Sequence, residues 1–97
     1  MPNIRKAKSF DFINSHWEIH EELQIEGKMR LIPGREFRVR GERGRFIFQR
    51  YVYNPRIEEG WIDAQSANPK KRAARSFQVD RVTRIHRKVT VHPSVQL

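Results

Sequence analysis

The chain has no cysteine among its 97 residues. That excludes a disulfide framework, thiolate catalysis and any cysteine-based zinc site. Long apolar runs are also missing, since no stretch approaches the roughly 20 residues a membrane-spanning helix needs. The opening MPNIRKAKSF lacks the hydrophobic segment of a signal peptide. These absences set the expectation of a cytoplasmic protein that does not associate with membranes. With five glycines and five prolines there is no low-complexity tract, and these residues serve as punctuation between elements. Acidic residues are the remaining shortage: 11 Asp and Glu stand against 20 Lys and Arg, for a net charge of +9.

That charge is unevenly spread. Residues 1–27 carry −2, residues 28–50 carry +6, residues 51–66 carry −2 and residues 67–97 carry +7. Two segments therefore hold the whole excess, and a compact fold can bring them onto one face. A chain of this length makes one domain. At 37% hydrophobic and 32% charged it is polar, yet its aromatic residues (six Phe, two Trp, two Tyr) suffice for a small core.

The stretch Pro33 to Asn54, PGREFRVRGERGRFIFQRYVYN, organises the rest. Phe37 and Val39 alternate with Arg38 and Arg40, the period-two signature of a strand with one apolar and one basic face. Gly41-Glu42-Arg43-Gly44 supplies a reversal, and Arg45 to Tyr53 resumes as a long aromatic and β-branched run. Six arginines fall between Arg35 and Arg50, against only Glu36 and Glu42.

Elsewhere the elements are short. Residues 1–8 read as a flexible basic leader. Phe10, Ile13 and Trp17 are spaced i, i+3, i+7, and Ser15 with Glu18 has the form of a capping box, which predicts a short helix within 9–22. Trp17 and Ile19, with His20, could also belong to an irregular strand, but the helix is the reading preferred. Leu23-Gln24-Ile25 and Met29-Arg30-Leu31 flank Glu26-Gly27-Lys28 as a small hairpin. Strands are expected at Trp61–Gln65, Arg75–Phe77 and Thr83–Lys88, with a 3₁₀ turn at Val79–Val82. Asn68-Pro69 turns the basic loop SANPKKR, and Pro93 marks residues 89–97 as a tail. Phe37, Val39, Phe46, Phe48, Ile62, Phe77, Val82 and Ile85 are the expected core.

Short strands at close spacing, covering residues 23–88, indicate a mainly β chain folded as a small antiparallel barrel. The order long hairpin, short strand, short strand, 3₁₀ turn, last strand resembles the SH3-like barrel. PGREFRVRGERGRF also resembles the KOW-type barrels of ribosome- and transcription-associated proteins. The pieces PGREFRVRGERGRFIF, WIDA and RSFQVDRVTRIHRK are similar to small basic proteins encoded by actinobacterial phages. That resemblance implies a phage accessory protein made in a bacterial cytoplasm, and it carries no catalytic residues with it.

The basic surface is the leading functional candidate. Arg38, Arg40, Arg43 and Arg45 come from the hairpin, Lys70, Lys71, Arg72 and Arg75 from the second loop and beyond it, and Arg84 and Arg87 from the last strand. Fourteen of the twenty cations are arginine, whose guanidinium fork matches phosphate oxygens bidentately. Tyr51, Tyr53 and Trp61 stand near loop ends, where an exposed ring stacks on an unpaired base and a buried ring is core. Trp61 is assigned to the core and Tyr53 to the binding surface. If Phe46 and Phe48 face inward, Ile47, Gln49, Tyr51 and Tyr53 face the other way, unless a β-bulge swaps the faces. His16 and His20 have metal-ligand spacing for a helix, but the string is HWEIH and no third ligand stands out. The expectation is a non-enzymatic nucleic-acid-binding module needing no cofactor. The alternative is an accessory protein that docks on an acidic host or phage protein.

Overall fold

The structure, a computed structural model, describes residues 16–90. It is mainly β. Strands β1 (Glu18–His20), β2 (Arg35–Val39), β3 (Phe46–Asn54), β4 (Glu59–Ser66), β5 (Ala74–Phe77) and β6 (Val82–Val89) are all antiparallel, with a 3₁₀ turn at Val79–Arg81. The sheet order is β5-β4-β3-β2-β6, with β1 added to β3.

The sheet must curl. Three inter-strand steps separate β2 from β5, roughly 14 Å if flat. Yet the Phe37 and Phe77 rings lie 6.4 Å apart, edge to face. The amide of Arg40 and the carbonyl of Arg81 also join across the fold at 2.8 Å. No ladder links β5 to β6 among the described residues, so the sheet is open rather than the closed barrel expected.

Inside the curl lie Leu31, Phe37, Val39, Phe46, Phe48, Ile62, Ala64, Phe77 and Val82. All the expected core residues are buried except Ile85, which is half-buried against the cluster. Leu31 gets there through the small hairpin: Leu23 and Leu31 exchange both backbone hydrogen bonds, at 3.0 and 2.8 Å. Both glycines of the Gly41–Gly44 turn take positive φ, which a glycine adopts without a Cβ clash.

Two further expectations fail. The short N-terminal helix is absent from the described part of 9–22, and residues 9–15 lie outside the described residues. Glu18–His20 is instead strand β1, paired with Tyr51–Tyr53. β2 pairs β3 only at Phe46 and Ile47, leaving an edge of backbone donors and acceptors farther along that β1 satisfies. Tertiary pairing thus overrides the helical spacing at Glu18–His20, where all three residues are exposed and Ile19 stands at 68%.

The far half of β3 takes the alternative in which a bulge swaps the faces. Its register against β4 slips between Phe48 and Arg50, so Gln49 is an extra residue. Past this bulge Tyr51 stands opposite Ile62 and joins the core's face, while Arg50 turns outward to Asp63 at 3.0 Å. Trp61 is the second failure. Opposite Val52 on the outer side, it is half-buried with its ring 4.9 Å from Trp17.

Ile47 does face away from Phe46 and Phe48, yet it is buried too. Its neighbours across the sheet are Glu36 and Gln65, and long side chains close over this outer surface with their apolar stems. Val89 completes β6, and the Thr90 amide reaches the carbonyl of Gly34 at 2.7 Å. The leader at 1–8 and residues 91–97 of the tail lie outside the described residues.

Candidate nucleic-acid interface

The outer face of the β2–β6 pair is where the basic segments meet. Arg38 and Arg84 are direct cross-strand partners, both exposed. His86 follows on β6, and Arg45, Arg84 and Arg38 all act on it with positive charge. Burial, reinforced by those three arginines, holds the His86 imidazole below its ordinary range despite the opposing pull of Glu36. Its Nε2 is buried with no hydrogen-bond partner among the described residues.

Glu36 is the carboxylate that anchors this face. It is 4% exposed and accepts from the Thr90 hydroxyl at 2.6 Å and from Arg45 at 3.2 Å, with Lys88 Nζ at 3.7 Å. Burial alone would push its carboxyl up. The Thr90 hydroxyl, Arg45 and Lys88 outweigh that and hold it below the usual carboxylate range. Glu36 therefore serves Arg45 and Lys88, while Arg38 and Arg84 have no ion pair among the described residues. Beside them a groove of about 540 Å³ runs between the Gly41–Gly44 turn and the start of the second loop, lined by Glu36, Arg43, Arg45, Ser66, Asn68 and Lys88.

The structure divides the sequence candidates. Arg38, Arg45 and Arg84 come together, and Arg43 lines the adjoining groove. Arg40 and Arg43 are exposed at the turn. Lys70 and Lys71 are exposed on the second loop, where the Lys70 amide donates to Asn68 Oδ1 at 2.9 Å. Arg72 turns back to donate to the carbonyl of Ser66 at 3.4 Å. Arg87 is exposed on β6 between His86 and Lys88 in the alternation.

Arg75 is engaged elsewhere. It bonds Glu42 at 2.9 Å and lies over the rings of Phe77 and Phe46, at 5.0 and 5.6 Å. Tyr53 is eight residues along from Arg45, about 25 Å at strand spacing, in a groove with Glu58 and Glu59. It is not part of the arginine cluster.

His86 and Lys88 were missed at the sequence level. The signal was available, because Arg84, His86 and Lys88 occur at period two on one strand. The histidine pair His16 and His20 does not share a helix face, since 18–20 is extended. His20 instead meets Glu18 at 3.1 Å. Among the described residues no group of three or more His, Asp or Glu is placed to hold a metal ion, and no helix is long and apolar enough to cross a membrane.

These features define a small, mainly β protein: one curled antiparallel sheet with a cationic outer face over β2 and β6. The chain belongs to the family described as Domain of unknown function (DUF7246), whose model matches residues 1–95. Neither a curated protein nor a solved structure matches it.

Proposed function

We propose that this protein is a non-enzymatic nucleic-acid-binding module whose β2–β6 face tracks a phosphate backbone. The observation that carries this reading is the Arg38–Arg84 pair. Like charges directly opposite on adjacent strands are destabilising, and among the described residues no carboxylate pairs with these two. A polyanion does so when it binds, and each contacted phosphate releases condensed counterions. Arg45, Arg43 and Lys88 extend the positive surface along the groove. The unpartnered His86 Nε2 adds a polar atom beneath it. Base-specific readout is not part of the proposal, because the described chain offers no helix to enter a groove.

The strand order β5-β4-β3-β2-β6 and the 3₁₀ turn before the last strand support an SH3-like, incompletely closed barrel as the scaffold. The resemblance of its sequence pieces supports a phage accessory protein working in a bacterial cytoplasm. The test is a fluorescence titration of the full chain with short duplex and single-stranded oligonucleotides at several salt concentrations. Replacing Arg38 and Arg84 together with alanine is expected to flatten the log–log salt slope by about 1.8 on duplex or about 1.4 on single strands. It should weaken all sequences alike. Wild-type protein that binds no nucleic acid at low salt overturns the proposal in favour of docking on an acidic protein.

A further inference from the structure

The opposite end of β3 carries a surface of the contrary kind. Tyr51 and Tyr53, successive inner-face positions beyond the bulge, stack with ring centroids 5.9 Å apart and 18° between planes. Gly60 sits below them: a Cβ there would lie 2.5 Å from the Val52 carbonyl oxygen and 3.0 Å from Tyr51 Oη. The β3–β4 turn and the 3₁₀ turn form the walls of a groove of about 470 Å³, contributing Glu58, Glu59, Val79 and Asp80. None of those three carboxylates has an ion-pair partner among the described residues, although the chain carries nearly twice as many cations as anions. Burial, and then the neighbouring Tyr53, push the Tyr51 phenol up, so it stays neutral and presents a π face without charge.

We propose that this groove docks a basic peptide segment, with an arginine or lysine side chain laid against the Tyr51–Tyr53 pair and its charge received by Glu58, Glu59 and Asp80. Charge complementarity selects this occupant. A cation is attracted both by aromatic faces and by carboxylates. A nucleotide would stack on the same rings, but it would bring its phosphates against three uncompensated carboxylates. The site is distinct from the cationic face, so the protein joins a polyanion at one end and a basic protein segment at the other.

The probe is an acetylated, amidated heptapeptide alternating arginine with glycine and proline, titrated calorimetrically into the full chain. The same peptide with citrulline for arginine serves as the control. Tyr53→Ala and the double variant Glu58→Gln/Glu59→Gln are each expected to weaken binding about tenfold. Tyr53→Phe, which keeps the ring, should bind as the wild type does, and so should the Arg38→Ala/Arg84→Ala protein. A thermal melt shows that each variant is folded. Equal affinity for the citrulline peptide overturns the proposal, as does an undiminished affinity in the double variant. Self-association of the wild type that the double variant abolishes would make a second copy of this chain the occupant and overturn it as well.

Discussion

Two pairs of arginines on this molecule are built into opposite situations. Arg75 and Arg81 converge on Glu42, at 2.9 and 3.6 Å, and both lie over the ring of Phe77. Arg81 also donates to the carbonyl of Arg40 at 2.7 Å. Their charge is answered by Glu42, whose carboxyl the Arg75 hydrogen bond holds below its usual range. Arg38 and Arg84 face each other, and among the described residues neither a ring nor a carboxylate pairs with them. The first pair closes the open end of a curled sheet, and the second presents charge to the outside. Residue type does not tell them apart. What each guanidinium meets does.

The largest expected effect comes from removing the platform of the first pair. Phe77→Ala takes away a buried ring that touches Phe37 and Phe46 and carries both guanidiniums. Loss of about 3–5 kcal/mol is expected by denaturant titration. A loss below about 1 kcal/mol would mean that the sheet does not depend on its folded-over contact.

Glu36 offers a way to sharpen the contrast, because it is the buried carboxylate two residues from Arg38 on the same face of β2. Its folded-state pKa is depressed. Its contribution is therefore fully present above the ordinary carboxylate value of about 4.3 and is lost as pH falls through the lower folded value. Glu36→Gln should lose about 1–2 kcal/mol at neutral pH, and its stability should fall less on acidification than that of the wild type. Parallel acid curves for the two proteins would show that Thr90 and Arg45 hold Glu36 no better than water does.

The smallest effects separate the pairs directly. Arg75→Ala should lose about 1 kcal/mol and leave the salt dependence of oligonucleotide binding unchanged. Arg38→Ala should be neutral or stabilising by about 0.3 kcal/mol, and it should cut the salt slope by about 0.9 on duplex. Calorimetric melts and salt titrations of the two variants together break the comparison if both lose stability or both lose slope.

Much of the inner face was legible in the sequence, because alternation at Phe37–Val39, the run Phe46–Phe48 and the isolated Phe77 leave little choice of side. The outer face was less so. Period two places Arg38 and Arg84 outward, but no pattern says that they will be register partners. That depends on a shift in the β2–β6 ladder between Arg38 and Val39. Arg75 was unreadable as a clamp because Glu42 lies 33 residues away in sequence. β1 was misread because three exposed residues carry no burial signal, and the free edge of β3 that recruits them appears only once β2 has departed.

The extra residue at Gln49 also bears on how this chain tolerates changes in length. A strand normally has one parity, and a single deletion anywhere along it exchanges inside for outside from that point on. β3 already contains one such frame change, so its two halves keep separate accounts of even and odd. Deleting Gln49 would restore a single parity while leaving Arg50 and Val52 outward and Tyr51 and Tyr53 inward, because it removes only the extra residue. An insertion between Phe46 and Phe48 would disturb only the aromatic core, provided a compensating loss occurred at the bulge. A single deletion in this strand is therefore expected to be tolerated at residue 49, and elsewhere only when paired with a compensating change at the bulge.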